Sequence, residues 1–165
     1  MEIGLSSPNS VKLKGKNATL ITDPTTKVDA DIIIATQPLD SLNEAALANV
    51  RLIISGPGEY EAGGIGVTGK DTKGELLYHI FDNSKIMFTT SNGIKSVPDD
   101  EEYDALLIKV IGVVKEDDFA SINAKCVVLY GDIEQAAVNG ENVEKTSKVS
   151  LKKTAEITGK VFLLS

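Results

Sequence analysis

Short apolar runs separated by polar turns dominate the chain, and most are too short to be helices. Runs rich in Val, Ile, Leu and Thr fall at residues 10–14, 18–23, 31–35, 50–54, 64–69, 75–81, 85–90, 105–111, 126–130, 148–151 and 160–164. Each is bounded by Gly, Asn, Asp or Pro, which marks it as a strand. Gly15, Lys16 and Asn17 join the first two runs as a hairpin, and Asp82, Asn83 and Ser84 join another pair in the same way. Ile32–Ile34 with Ala35, Leu52–Ile54, 106–108 and 127–129 are apolar on consecutive residues. Such strands are covered on both faces, so something must pack on each side of their sheet.

Helical signals are few. Residues 41–50 carry Leu42, Ala45, Ala46 and Ala48, with Ser41 as an N-cap and Glu44 three residues later in a capping-box pattern. Residues 115–122 and 132–138 are weaker candidates. With so few helices a second sheet must supply much of the cover, which gives a two-sheet sandwich with a thin outer layer of helices. No repeat, linker or low-complexity tract interrupts the 165 residues, so one domain spanning 1–165 is expected.

A chain of this length buries about 70% of its unfolded surface and needs no disulfide or metal for stability. The formal net charge of −7 argues against phosphate backbones and anionic membranes as partners, since both require clustered Lys and Arg. The single cysteine, Cys126, excludes an internal disulfide and reads as a small buried thiol within an apolar strand. No run approaches the roughly 18 apolar residues of a membrane span. The first residues show no signal-peptide pattern, so the cytoplasm is the expected location.

The order of segments resembles the metallo-β-lactamase-fold hydrolases, particularly a short branch related to sugar-phosphate lactonases. The most specific match is Gly-Pro-Gly-Glu-Tyr-Glu at 56–61, leading into a strand. Leu20-Ile-Thr-Asp-Pro24 is similar to the family's strand ending in Asp-Pro, Ala30–Thr36 to the strand entering the metal loop, and Glu102–Ile108 to a later buried strand. The resemblance implies an αββα (α+β) architecture, a metallo-β-lactamase-like two-sheet sandwich with few, short flanking helices.

The family's chemistry sits in a Thr-His-x-His-x-Asp-His loop after the second of these strands. Here Gln37, Leu39, Ser41 and Leu42 stand at the His, His, Asp and His positions, and Asp40 is one residue out of register. Further along, the expected ligand positions fall near Ser91 and Gly131, neither of which has a metal-binding side chain. Zinc needs at least three N, O or S ligands, and the chain contains one His and one Cys. A zinc hydrolase lowers the pKa of bound water from about 15.7 to about 7, roughly 12 kcal/mol, which an ordinary general base does not restore. The expectation is therefore no zinc, no cofactor and no zinc-hydrolase activity.

Other motifs favour structural readings. Gly64, Gly66 and Gly69 satisfy G-x-G-x-x-G, but a turn and another strand follow where a dinucleotide site needs a helix. His79 lies within a strand and matches no ligand position. Glu59 and Glu61 share a strand face, which suits a solvated face better than an acid–base pair. The acidic clusters at 99–102 and 116–118 suit turns and helix starts.

Two functional classes follow. One is a non-catalytic descendant of the hydrolase fold, a scaffold or interaction module binding a protein partner or itself as a homodimer. Leu39 and Leu42 would then either fill the former metal cavity or form an exposed contact patch. The other is an enzyme with relocated chemistry, a phosphoesterase or lactonase type using Asp23, Asp40, Glu59, Glu61 and Asp132, with or without a hard cation. A third possibility is a small-ligand sensor using the remnant cleft.

Overall fold

The computed structural model spans residues 1–165 and is described here for all of them except Asn43. The first five strands are β1 (Glu2–Ser7), β2 (Ser10–Lys14), β3 (Thr19–Thr22), β4 (Ile32–Ile34) and β5 (Leu52–Ile54). A meander follows: β6 (Gly58–Ala62), β7 (Ile65–Thr72), β8 (Glu75–Asp82) and β9 (Ser84–Thr90). Then come β10 (Ala105–Val110), β11 (Val114–Lys115), β12 (Cys126–Gly131), β13 (Ala136–Ala137), β14 (Val143–Thr146), β15 (Lys148–Ser150) and β16 (Lys160–Leu164).

Two mixed sheets result. The first runs β15-β1-β2-β3-β4-β5, and the second runs β14-β16-β12-β10-β9-β8-β7-β6. The meander half of the second sheet is antiparallel, while β9, β10, β12, β16 and β14 are parallel neighbours. Both expected hairpins are present, as β2–β3 and β8–β9. Gly64 to Gly69 lies in and before β7, with strands on either side, so no dinucleotide turn forms.

The parallel strands explain the consecutive apolar runs. Alternate residues of β10 join different cores: Ala105 and Leu107 pack between the sheets, while Leu106, Ile108 and Val110 pack beneath the outer layer. That outer layer is thinner than expected. The helix predicted over 41–50 is reduced to a 3-10 turn at Leu39–Ser41 and a four-residue helix α1 (Glu44–Leu47). Ser41 is not a cap: its hydroxyl donates to the Pro38 carbonyl at 2.6 Å, an option Ser takes where it competes with helix formation. The other two expected helices are 3-10 turns at Glu116–Asp118 and Ile133–Gln135, and a second short helix, α2 (Thr154–Ile157), precedes β16.

Candidate functional site

The C-terminal ends of β3, β4 and β10 meet at one end of the sandwich and place three polar side chains between the sheets. Lys109 is the fifth residue of β10 and takes the same face as Ala105 and Leu107, so its stem points into the inter-sheet core. Its ammonium reaches Asp23, just past β3, at 2.6 Å, and also donates to the Thr36 hydroxyl at 3.1 Å. Asp23 also accepts the Thr36 backbone N–H at 2.7 Å and the Thr36 hydroxyl proton. Both charged side chains are 3% exposed. Charges this deep persist only when paired and hydrogen-bonded, and here every group answers another.

The backbone commits to this arrangement. Asp23 has φ of 40°, in the left-handed region, where Asp is one of the few tolerated side chains. Beside the cluster, Tyr130 from β12 shares its hydrogen bond with Thr22 at 3.0 Å, and Thr22 also accepts the Val11 N–H at 3.1 Å. The polar end is thus tied to four strands.

Next to the cluster lies a small cavity of about 90 Å³ bounded by Thr36, Glu75, Tyr78, Phe88, Thr89 and Thr90 among others. It adjoins a shallow groove of about 500 Å³ along Thr36, Gln37, Pro38, Leu39 and Asp40. The Tyr78 hydroxyl is buried with no hydrogen-bond partner. Burial, then the charges of Tyr60 and Asp23, push its pKa up to about 12, so it remains a proton donor without an acceptor. The cavity's volume has room for about three waters at liquid density, or a polar group of similar size.

The residues anticipated from the sequence are placed as follows. Gln37, Leu39, Asp40 and Ser41 are exposed and Leu42 is half-buried, so these leucines do not fill a cavity between the sheets. Leu39, at 41% exposed, is one of few large apolar side chains on the surface. The Ser91 hydroxyl accepts the Ile111 N–H at 3.2 Å, and Gly131 turns the chain at the end of β12 with φ of 91°. Of the acidic candidates, Asp23 is buried against Lys109, while Asp40, Glu59, Glu61 and Asp132 are exposed. Glu59 and Glu61 lie on β6, the edge strand, where Glu61 accepts the Gly64 N–H at 2.9 Å. Asp132 accepts from Gln135. Among the described residues no group of three or more His, Cys, Asp and Glu could hold a metal ion.

Comparison with solved structures supplies the name of this architecture. A Thermotoga maritima protein of the metallo-β-lactamase superfamily, proposed to be a Zn-dependent hydrolase, superposes with a TM-score of 0.71. The match covers 99% of this chain and 98% of that one, at 17% identity. The chain has the metallo-β-lactamase fold. No family model matches the sequence, and no curated protein matches it significantly. In this fold the chain following β4 leads into the loop that the resemblance assigns to metal binding, and Thr36 is its first residue. The zinc implied for that loop does not fit the residues present. Among the described residues the buried carboxylate here, Asp23, is already bound by an ammonium at 2.6 Å, and the loop beyond it offers amide, hydroxyl and apolar side chains with a single exposed carboxylate, Asp40, short of the three ligands zinc needs.

Lys109 is the residue that sequence reasoning overlooked. Its signal was present: a lone lysine in Ala105–Val110, a strand otherwise wholly apolar and buried at every position.

His79 and Cys126 take structural roles. Cys126 is buried, and desolvation pushes its thiol up to about 12, which leaves it unreactive. His79 is 5% exposed on the other face of the second sheet, edge-on to Tyr103 with ring centroids 5.9 Å apart. Its Nδ1 lies 3.9 Å from Glu101, and its Nε2 has no partner. Burial lowers the His79 pKa below 6.5, with Glu101 opposing and Lys70 and Lys85 assisting. The unfolded chain therefore takes up this proton first as the pH falls. The stabilisation is present above 6.5 and is lost as the pH drops through the folded-state value. Urea midpoints are expected to fall between about pH 7 and about pH 5, and His79→Leu is expected to flatten that slope. An unchanged slope in the variant would assign it to other groups.

Proposed function

We propose that this chain is a non-catalytic metallo-β-lactamase-fold protein working as a single domain in the cytoplasm, as an interaction or scaffold module. The observation that carries this reading is the Lys109–Asp23–Thr36 cluster. Where hydrolytic chemistry needs an open, electrophilic centre and a water-derived nucleophile, this end of the sandwich holds a satisfied ion pair. The exposed Leu39 beside Pro38 and the half-buried Leu42 offer a small apolar contact surface for a partner or a second copy. Among the described residues no helix is long and apolar enough to cross a membrane.

A second reading, a small-ligand sensor, is favoured by the cavity beside Thr36 and the unpaired hydroxyl of Tyr78. An unsatisfied buried donor gains from any occupant that accepts its hydrogen bond.

One set of measurements separates these readings from a metal-dependent enzyme. Elemental analysis of untagged protein is expected to find no stoichiometric zinc, manganese or iron, and melting curves are expected not to move with Zn²⁺, Mn²⁺ or Mg²⁺. Stoichiometric zinc would sink the non-catalytic reading. A saturable shift with an uncharged compound of four or five heavy atoms, such as acetamide, would favour the sensor.

A further inference from the structure

We propose that Asp23 and Thr36 form a binding site for a primary ammonium, filled in this chain by its own Lys109, so that a tethered cation bridges the two sheets at this end of the sandwich. This goes beyond the functional reading above and holds whether or not the protein catalyses a reaction.

Three features of the geometry select an ammonium. First, Asp23 Oδ2 and the Thr36 hydroxyl lie 2.6 Å and 3.1 Å from the nitrogen, single-point acceptors suited to the separate N–H vectors of an ammonium. Second, Asp23 Oδ1 already accepts the Thr36 N–H at 2.7 Å and Oδ2 the Thr36 hydroxyl proton, so a guanidinium's bidentate mode would have to compete with both bonds. Third, a divalent metal finds only one carboxylate here, against the three or more protein ligands that zinc needs and the six or more oxygens typical of calcium. Both charged side chains are also only 3% exposed, which strengthens the attraction.

The bridge has a structural purpose. Lys109 belongs to the second sheet, whereas Asp23 and Thr36 follow strands of the first. One cation thereby fastens the two sheets at the end where the strands leave the core, as a shared metal ion would.

The test uses chemical rescue. Lys109→Ala removes three methylenes and the ammonium, which n-propylammonium replaces atom for atom. With n-propylammonium chloride about tenfold above its dissociation constant, the melting temperature of the Lys109→Ala protein is expected to rise by about 3–6 °C. The unaltered protein, and Lys109→Ala combined with Asp23→Asn, are expected not to respond. Sodium chloride and tetramethylammonium at equal concentration are expected not to substitute. No saturable rescue by n-propylammonium, or stoichiometric Zn²⁺ or Mn²⁺ uptake by Lys109→Ala, overturns the proposal. Should that variant not fold, the unaltered protein still decides the matter. Nitrogen-15 NMR is expected to show the Lys109 ammonium protons exchanging far more slowly than those of the exposed lysines, and uniform fast exchange would refute the buried site.

Discussion

Replacing Lys109 with methionine is expected to destabilise the protein by about 3–5 kcal/mol, the largest loss expected from any single side-chain change at the polar end. Methionine preserves most of the stem's volume, so the loss reports on charge and not on packing. It leaves the Asp23 carboxylate 3% exposed without its 2.6 Å partner. The design that isolates the interaction is a double-mutant cycle with Asp23→Asn. Asparagine tolerates the left-handed backbone at this position and can still accept the Thr36 N–H. Each single change strands a partner, whereas the double variant removes both charges together. It is therefore expected to be more stable than the sum of the single losses predicts, by at least about 2 kcal/mol. Urea denaturation measures all four proteins. Simple additivity would show that the two groups do not interact in solution.

The second large effect lies in the core behind that site. Phe88 is fully buried on β9, with Tyr78 on one side at a ring separation of 6.0 Å and Tyr130 on the other at 6.3 Å. Phe88→Ala removes the central ring of this row. The lost transfer energy and the residual cavity together are expected to cost about 3–5 kcal/mol. For a chain of this length that lowers the melting temperature by roughly 10 °C. Phe88 also bounds the small cavity beside Thr36, so truncation enlarges it. Phe88→Leu keeps most of the volume and is expected to lose far less. A loss under about 1 kcal/mol for Phe88→Ala would show that neighbouring side chains collapse into the space.

Strands were legible wherever the pattern was strong. The runs at 10–14 and 160–164 correspond to β2 and β16 residue for residue. Consecutive apolar positions in β4, β10 and β12 announced burial on both faces. Strands with weaker patterns were read only as the approach to a strand, as at β6, or not at all, as at β14. β6 (Gly58–Ala62) alternates two exposed glutamates with partly buried neighbours at a sheet edge, and β14 is half-exposed and rich in charge. Pairing with a neighbour, more than side-chain preference, makes these segments strands. The helix over 41–50 failed for the converse reason. A capping pattern and three alanines do not outweigh the costly first turn when, among the described residues of that segment, Ala46 alone is fully buried to reward it.

Within the site, the divide follows a similar line. The missing ligands at Gln37, Leu39, Ser41 and Leu42 are a matter of residue type, and residue type needs no coordinates. The sequence by itself determined that no histidine stands at the positions where the resembling hydrolases carry theirs, and that apolar strands must build a two-layer core. Only the tertiary structure decided what occupies that end of the sandwich. Asp23, Thr36 and Lys109 are far apart along the chain, and nothing in their spacing couples them. Packing one sheet on the other brings the ends of β3, β4 and β10 together, and the cost of burying charge then requires that the lysine and the aspartate pair.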